Sequence, residues 1–229
     1  MAKATIGSLI LLLAASIDIH ANLITLENTI PSGNLFLQPP AVTGAAPLFG
    51  SAGGVVIADG FTVPATATLN QISVVVEYED FSSVGVTGRS PMLLSLLSDS
   101  NNSPGLPIEN WIVDLSPADT NLTIVTVTSA IKPLLVSGNQ YWLSEVPTDP
   151  VHTGIGWGLA SSGPPGIQLP IAERPTGTNG GWQTTAAGLA NEFSVTGSTA
   201  PEPTPSTICA MAYLSIVVSR WLRKKADLR

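Results

Sequence analysis

The chain is poor in the side chains from which most enzyme centres are built. One cysteine, Cys209, and two histidines, His20 and His152, supply all the thiol and imidazole of 229 residues. That excludes a disulfide framework within the chain and a zinc site with several Cys or His ligands. Cys209 stands in an apolar stretch near the C-terminus, where a lone cysteine serves packing, with lipidation or an intermolecular bridge as alternatives. His152, between Pro150 and Gly154, reads as a solvated loop histidine. Charge is also scarce, at 11% of residues, against about 25% in soluble domains. Only nine residues are Lys or Arg, the formal charge is −7 and the pI about 4.6. Nucleic-acid backbones are gripped by cations, so nucleic acid is not an expected partner.

Sequence signatures of catalysis are missing as well. No Gly-x-Ser-x-Gly elbow is present, and Gly50-Ser51-Ala52-Gly53-Gly54 lacks the Gly-Lys-Ser/Thr ending of a phosphate cradle. Glu77, Glu79 and Asp80 form the best local acid cluster for a glycosidase, but solvated acids at a strand end explain them more simply. Asp99 and Asp149, near turns, offer oxygen to calcium, yet no loop has the Asp-x-Asp-x-Asp-Gly pattern. The expectation is a non-enzymatic protein with no metal and no cofactor.

What the chain does have is 44% hydrophobic residues, enough for a folded core, and a marked segregation of charge. Residues 22–199 carry thirteen acids and three bases, a balance of −10, whereas five of the nine bases lie in the last ten positions. An acidic body is followed by a basic tip.

Lys3 precedes the apolar run Ile6 to Ile17, IGSLILLLAASI, which ends in Asp18-Ile19-His20-Ala21. A charged start, a short apolar core and a small residue at the cleavage point describe a secretory signal peptide over residues 1–21, cut after Ala21. The run is short for an uncleaved anchor, which needs about 20 residues. At the other end, residues 197–207 form a Pro-rich linker containing Pro201-Glu202-Pro203. Residues 208–229 follow as a short transmembrane helix, ICAMAYLSIVV, and a basic tail with Arg220, Arg223, Lys224 and Lys225. Alternating prolines fix φ and lack N–H donors, so the linker is extended. A helix from Ile208 to Leu222 spans about 22 Å, a deficit that snorkelling arginines and Trp221 partly cover. Basic residues beside a membrane segment stay on the cytoplasmic side, which leaves the body outside.

Pro-Glu-Pro, a short apolar helix and an Arg/Lys-rich end, in that order, resemble the PEP-CTERM sorting signal of Gram-negative bacteria. The resemblance implies recognition by an exosortase, a membrane enzyme that processes the tail, in bacteria that make exopolysaccharide. It assigns Pro201, Glu202 and Pro203 to the sorting motif and Arg220 to Lys225 to the basic end. Pro205, the serines Ser215 and Ser219, and the continuation to Arg229 depart from the pattern.

Between the ends lie residues 22–47, expected as an N-terminal leader, and a domain at residues 48–196 that reads as strands throughout. Candidates are Val55 to Phe61, Leu69 to Glu79, Met92 to Leu97, Trp111 to Leu115, Leu122 to Thr128, Tyr141 to Val146, Ile155 to Ala160 and Glu192 to Val195. Each is rich in β-branched or aromatic residues and bounded by Gly, Pro, Asn, Asp or Ser. Ser103-Pro104-Gly105 and Ser137-Gly138-Asn139 are predicted turns. No window holds a helical period. The expected fold is all-β, an antiparallel β-sandwich of jelly-roll kind, flanked by a signal helix and a tail helix.

Phe61-Thr62-Val63-Pro64, the stretch Leu96 to Trp111, Val136 to Leu143 and Gly156-Trp157-Gly158 occur in an order similar to the choice-of-anchor R domain found in front of such tails. That family brings no catalytic residue to carry over. Trp111, Trp142 and Trp157 sit inside predicted strands and are expected in the core. Trp182, after Asn179-Gly180-Gly181, is the candidate exposed ring for glycan contact. The sequence therefore points to an exported, envelope-anchored surface or matrix protein. Its expected partners are the membrane, an exosortase-type enzyme and exopolysaccharide, with a carbohydrate-binding module as the alternative.

Overall fold

A computed structural model describes residues 21–30, 37–44, 55–79, 90–115, 122–150, 153–159, 169–175, 181–188 and 190–199, with Tyr213, Ile216 and Val218. The chain divides into a unit spanning Leu23–Thr199 and a second formed by Met1–Asn22 with Ala200–Arg229. In the second unit, Tyr213, Ile216 and Val218 are helical with exposed side chains.

The first unit is all-β. Eight of its strands overlap those expected from β-branched runs, β6 only over 111–113 and β13 only over 193–195: β3 (Val55–Thr62), β4 (Ala67–Glu79), β5 (Met92–Asp99), β6 (Pro104–Val113), β7 (Thr123–Thr128), β9 (Gln140–Pro147), β10 (Gly154–Leu159) and β13 (Phe193–Ser198). Five more come from segments with weaker signals: β1 (Leu23–Asn28), β2 (Leu37–Gly44), β8 (Leu134–Leu135), β11 (Leu169–Pro175) and β12 (Gln183–Gly188). The segment expected as a leader thus supplies β1, which pairs with β13, and β2, which pairs with β10 and β3. The compact body begins at Leu23 and not at residue 48.

All pairings among the described strands are antiparallel. In one layer β4 is central, with β7 and β8 on one edge and β13 and β10 on the other, and β1 beyond β13. The second layer runs β12-β11-β3-β9-β5-β6. Strand β2 links the two by pairing with β10 and touching β3 through Gly44 and Val55. The result is sandwich-like. Strand alternation turns Ile72, Val74, Val76 and Tyr78 of β4 and Phe193 and Val195 of β13 toward Phe61, Leu143, Met92, Leu94 and Leu96 of the other layer, in one buried cluster.

An aromatic series crosses that core. Tyr141 lies 6.1 Å from Phe61, Phe61 lies 5.7 Å from Phe193, and Phe193 lies 6.2 Å from Trp157, all tilted. These are favourable offset geometries. Trp157 donates its Nε1–H to the Glu192 carbonyl at 3.1 Å, which satisfies the one polar atom of a fully buried ring. Trp142 and Trp157 are fully buried as expected, while Trp111 is half-buried against the core and donates Nε1–H to Thr128 O. The register of β7 is also settled: Val125 and Val127 pack inward, and Ile124 points outward at 39% exposure.

One turn differs from expectation. Pro104 and Gly105 belong to β6, and the chain reverses instead through Asn101 and Asn102, with φ of 57° and 60°, closed by Ser100 N–H donating to Ser103 O. Two consecutive positive-φ residues make the tight reversal whose twist suits a hairpin, and asparagine tolerates that region best after glycine. Gly138, at φ 79°, turns the chain into β9 as anticipated.

Phe193→Ala should lower unfolding free energy by about 3–5 kcal/mol in a denaturant titration, because Phe193 is fully buried between Phe61 and Trp157. A change below about 1 kcal/mol would contradict this closure of the core.

Candidate functional site

Pro201, Glu202 and Pro203 of the expected sorting motif, the basic residues Arg220, Arg223, Lys224 and Lys225, and also Cys209 and His152, lie outside the described residues. So do residues 1–20 of the expected signal peptide. Among the described residues no helix is long and apolar enough to cross a membrane.

Trp182 is described and is half-buried. It packs against a small second cluster on the far side of the β3–β9 layer: Ala58, Leu97, Trp142 and Ala172. The Arg174 guanidinium carbon sits 4.6 Å from the centre of its ring. A cation over an indole at a partly exposed site contributes about 0.5–1 kcal/mol, little enough for a sugar to displace. Trp142 packs beside Gly60, where an added Cβ would come within 3.0 Å of Gln140 Nε2 and of Pro170 Cγ and 3.2 Å of Trp142 Cε3, so the ring's position depends on that glycine.

Beside this cluster, at the end of the layer where the β5–β6 and β8–β9 turns meet, is a polar groove of about 590 Å³. Its walls include Thr62, Ser98, Asp99, Asn102, Asn139 and Gln140. Asp99 is held at two points: Oδ1 accepts from Trp142 Nε1 at 2.8 Å and Oδ2 from the Asn102 backbone N–H at 3.1 Å. Asn102 O in turn accepts from Thr184 Oγ1 at 3.1 Å, joining the hairpin to the strand that follows Trp182. Thus the Asn101-Asn102 turn, the buried indole and the carboxylate form one fixed unit.

The other notable chemistry is in the core. Asp59, fully buried on the inward face of β3, accepts from the Asn191 backbone N–H at 3.2 Å and from Asn191 Nδ2. The Asn191 carbonyl accepts from Thr29 Oγ1 at 2.6 Å, and that hydroxyl oxygen accepts from Phe193 N–H at 2.7 Å. A polar link therefore joins the layers alongside the aromatic series. Burial pushes the Asp59 carboxyl up to about 7 despite the two donated hydrogen bonds. Burial likewise raises Glu192 to about 7, and its carboxylate oxygens are buried with no hydrogen-bond partner among the described residues. Sequence reasoning passed over Asp59 because Val55 to Phe61 reads as an apolar strand; a lone acid in such a run was the available signal.

Glu77 is not a solvated strand-end acid: it is 4% exposed, within β4 opposite Gly156. The side chain of Glu79 and all of Asp80, the other members of the expected acid cluster, lie outside the described residues. Among the described residues no group of three or more His, Cys, Asp or Glu could hold a metal ion. Comparison with protein-family models and with curated proteins finds no match to this chain.

The buried acids predict an inverted pH dependence. Asp59 and Glu192 titrate near 3.8 and 4.5 when unfolded and near 7 when folded, so the folded state holds more protons between those values. Their contribution to stability is greatest at the acid end of the window and falls as pH rises toward 7. The melting temperature should drop from pH 5 to pH 8, and Asp59→Asn should flatten the slope. A melting temperature that rises across this range in the unaltered protein would contradict the assignment.

Proposed function

We propose that the protein is exported and held at the cell envelope by its tail as a non-enzymatic surface or matrix protein. An exosortase-type system processes it, and it associates with exopolysaccharide. The observation that carries this reading is the ordered tail: Pro201-Glu202-Pro203, the apolar run from Ile208 to Val218, and Arg220 to Lys225, in a chain that opens with Lys3 and a second apolar run. Each part alone is weak. Their order and their pairing with an export signal are specific.

Two features of the structure support the reading. The body begins at Leu23, directly after the expected cleavage point at Ala21, so removal of residues 1–21 would leave every described strand in place. Tyr213, Ile216 and Val218 are helical with 72%, 50% and 46% exposed side chains, as a segment awaiting lipid would be. Within the body, the crossovers that place β13 and β10 beside β4 and β9 beside β5 support a jelly-roll arrangement.

A second reading, a carbohydrate-binding module, is favoured by the half-buried Trp182 close to a polar groove. Stacking on an indole is a common means of holding a sugar face.

Replacing Pro201, Glu202 and Pro203 by alanine in the producing cell should leave an unprocessed, membrane-retained product, seen as a larger species on immunoblots of membrane fractions. Unchanged size and distribution would defeat the sorting proposal. For the second reading, Trp182→Ala should abolish saturable binding to extracted exopolysaccharide; binding that survives the substitution would remove Trp182 from the site.

A further inference from the structure

The groove at the turn end has a chemistry of its own. Among the described residues Asp99 is the single charged one on its wall; the others are hydroxyls, carboxamides, Gly138 and Tyr141. One carboxylate without a cation repels phosphate, sulfate and uronate groups. One carboxylate also gives calcium little charge to bind, and among the described residues no group of three acids stands together. Groups that both donate and accept, flanking one carboxylate, match instead the hydroxyls of an uncharged sugar.

The acceptors are set in advance. Both Asp99 oxygens are fixed by Trp142 Nε1 and Asn102 N–H, and a carboxylate has about four acceptor sites, so each oxygen keeps one for a ligand. Gln140 Nε2 is buried and has no hydrogen-bond partner among the described residues. The Gln140 carboxamide stands on the groove wall, and turning it outward brings the enclosed Nε2 to a ligand oxygen, which recovers the about 1–3 kcal/mol that a buried unpaired donor costs. Gly60 leaves the room this amide occupies, since a Cβ there would stand 3.0 Å from Nε2. Asp99 needs no ordering on binding, which removes part of the usual entropy cost.

We propose that this groove binds an uncharged pyranose unit of a glycan, whose neighbouring hydroxyls donate to Asp99 and accept from Gln140 Nε2. Asp99, and not Trp182 alone, then anchors the sugar, and the body selects neutral over uronic-acid polymers. The inference rests on the reading of the body as glycan-associated, and names the groups that make the contact.

The test titrates the full-length chain, in a sugar-free detergent, with maltotetraose, cellotetraose and chitotetraose, and with polygalacturonate as the charged comparison. Calorimetry is read beside tryptophan fluorescence, because Trp142 reports on Asp99. At least one neutral tetraose should bind saturably and polygalacturonate should not. Asp99→Asn and Gln140→Leu should each weaken binding about tenfold or more at unchanged melting temperature. Should Asp99→Asn lower the melting temperature, Gln140→Leu alone decides. Failure of all three tetraoses to bind, equal affinity in the well-folded variant, or loss of binding on adding a chelator would overturn the proposal. The mass of the product from the producing cell is read separately: normal processing without sugar binding overturns the groove and leaves the sorting reading standing.

Discussion

The contact between Phe61 and Phe193, ring to ring across the two layers, is the constraint on which the rest of the body depends. With Cys209 its sole cysteine, the chain cannot cross-link its sheets by an internal disulfide, so their closure rests on burial and hydrogen bonding. Tyr141 and Trp157 extend the aromatic contact at both ends, and Asp59 with Asn191 adds a polar link beside it. That link has a cost of its own, because burying the carboxylate pushes its titration to about 7. It confers register more than stability: a one-residue slip of β3 would carry Phe61 and Asp59 to the opposite face together.

The same closure fixes the groove. Tyr141 belongs both to the aromatic series and to the groove wall, and its hydroxyl accepts from Val136 N–H at the turn into β9. Trp142, the next residue, points to the other face of the layer and there holds Asp99. Alternation along one strand thus ties the core to the surface. The hairpin at Asn101-Asn102 completes the arrangement by presenting a backbone N–H to the same carboxylate.

Much of this was legible in the residues. Runs such as Leu69 to Glu79 and Met92 to Leu97 are rich in Val, Ile and Leu, and each became a strand in the core. The strands that escaped notice explain themselves. β2 contains Pro39 and Pro40, β11 contains Pro170 and ends at Pro175, and β12 is QTTAAG, so their pairing comes from neighbouring strands and not from local propensity. Ser-Pro-Gly read as a turn because proline and glycine usually mark one, but the adjacent asparagines supplied the two left-handed residues the hairpin needed. The groove could not be read in advance, because Asp99, Asn102 and Gln140 meet only once β5, β6 and β9 are paired. The residues proposed for sorting stand out because such a signal is linear and needs no folding to be seen.

The proposed reading has the body fold after export, which is compatible with a body that has no cysteine and a core closed by packing. On that reading the address lies in the two ends. Intact-mass measurement of the protein recovered from its producing cells tests this division most directly. The account predicts a species that begins at Asn22 and is shorter than the full chain at the C-terminal side as well. Recovery of the complete 229-residue chain, from Met1 to Arg229, as the mature form would contradict it.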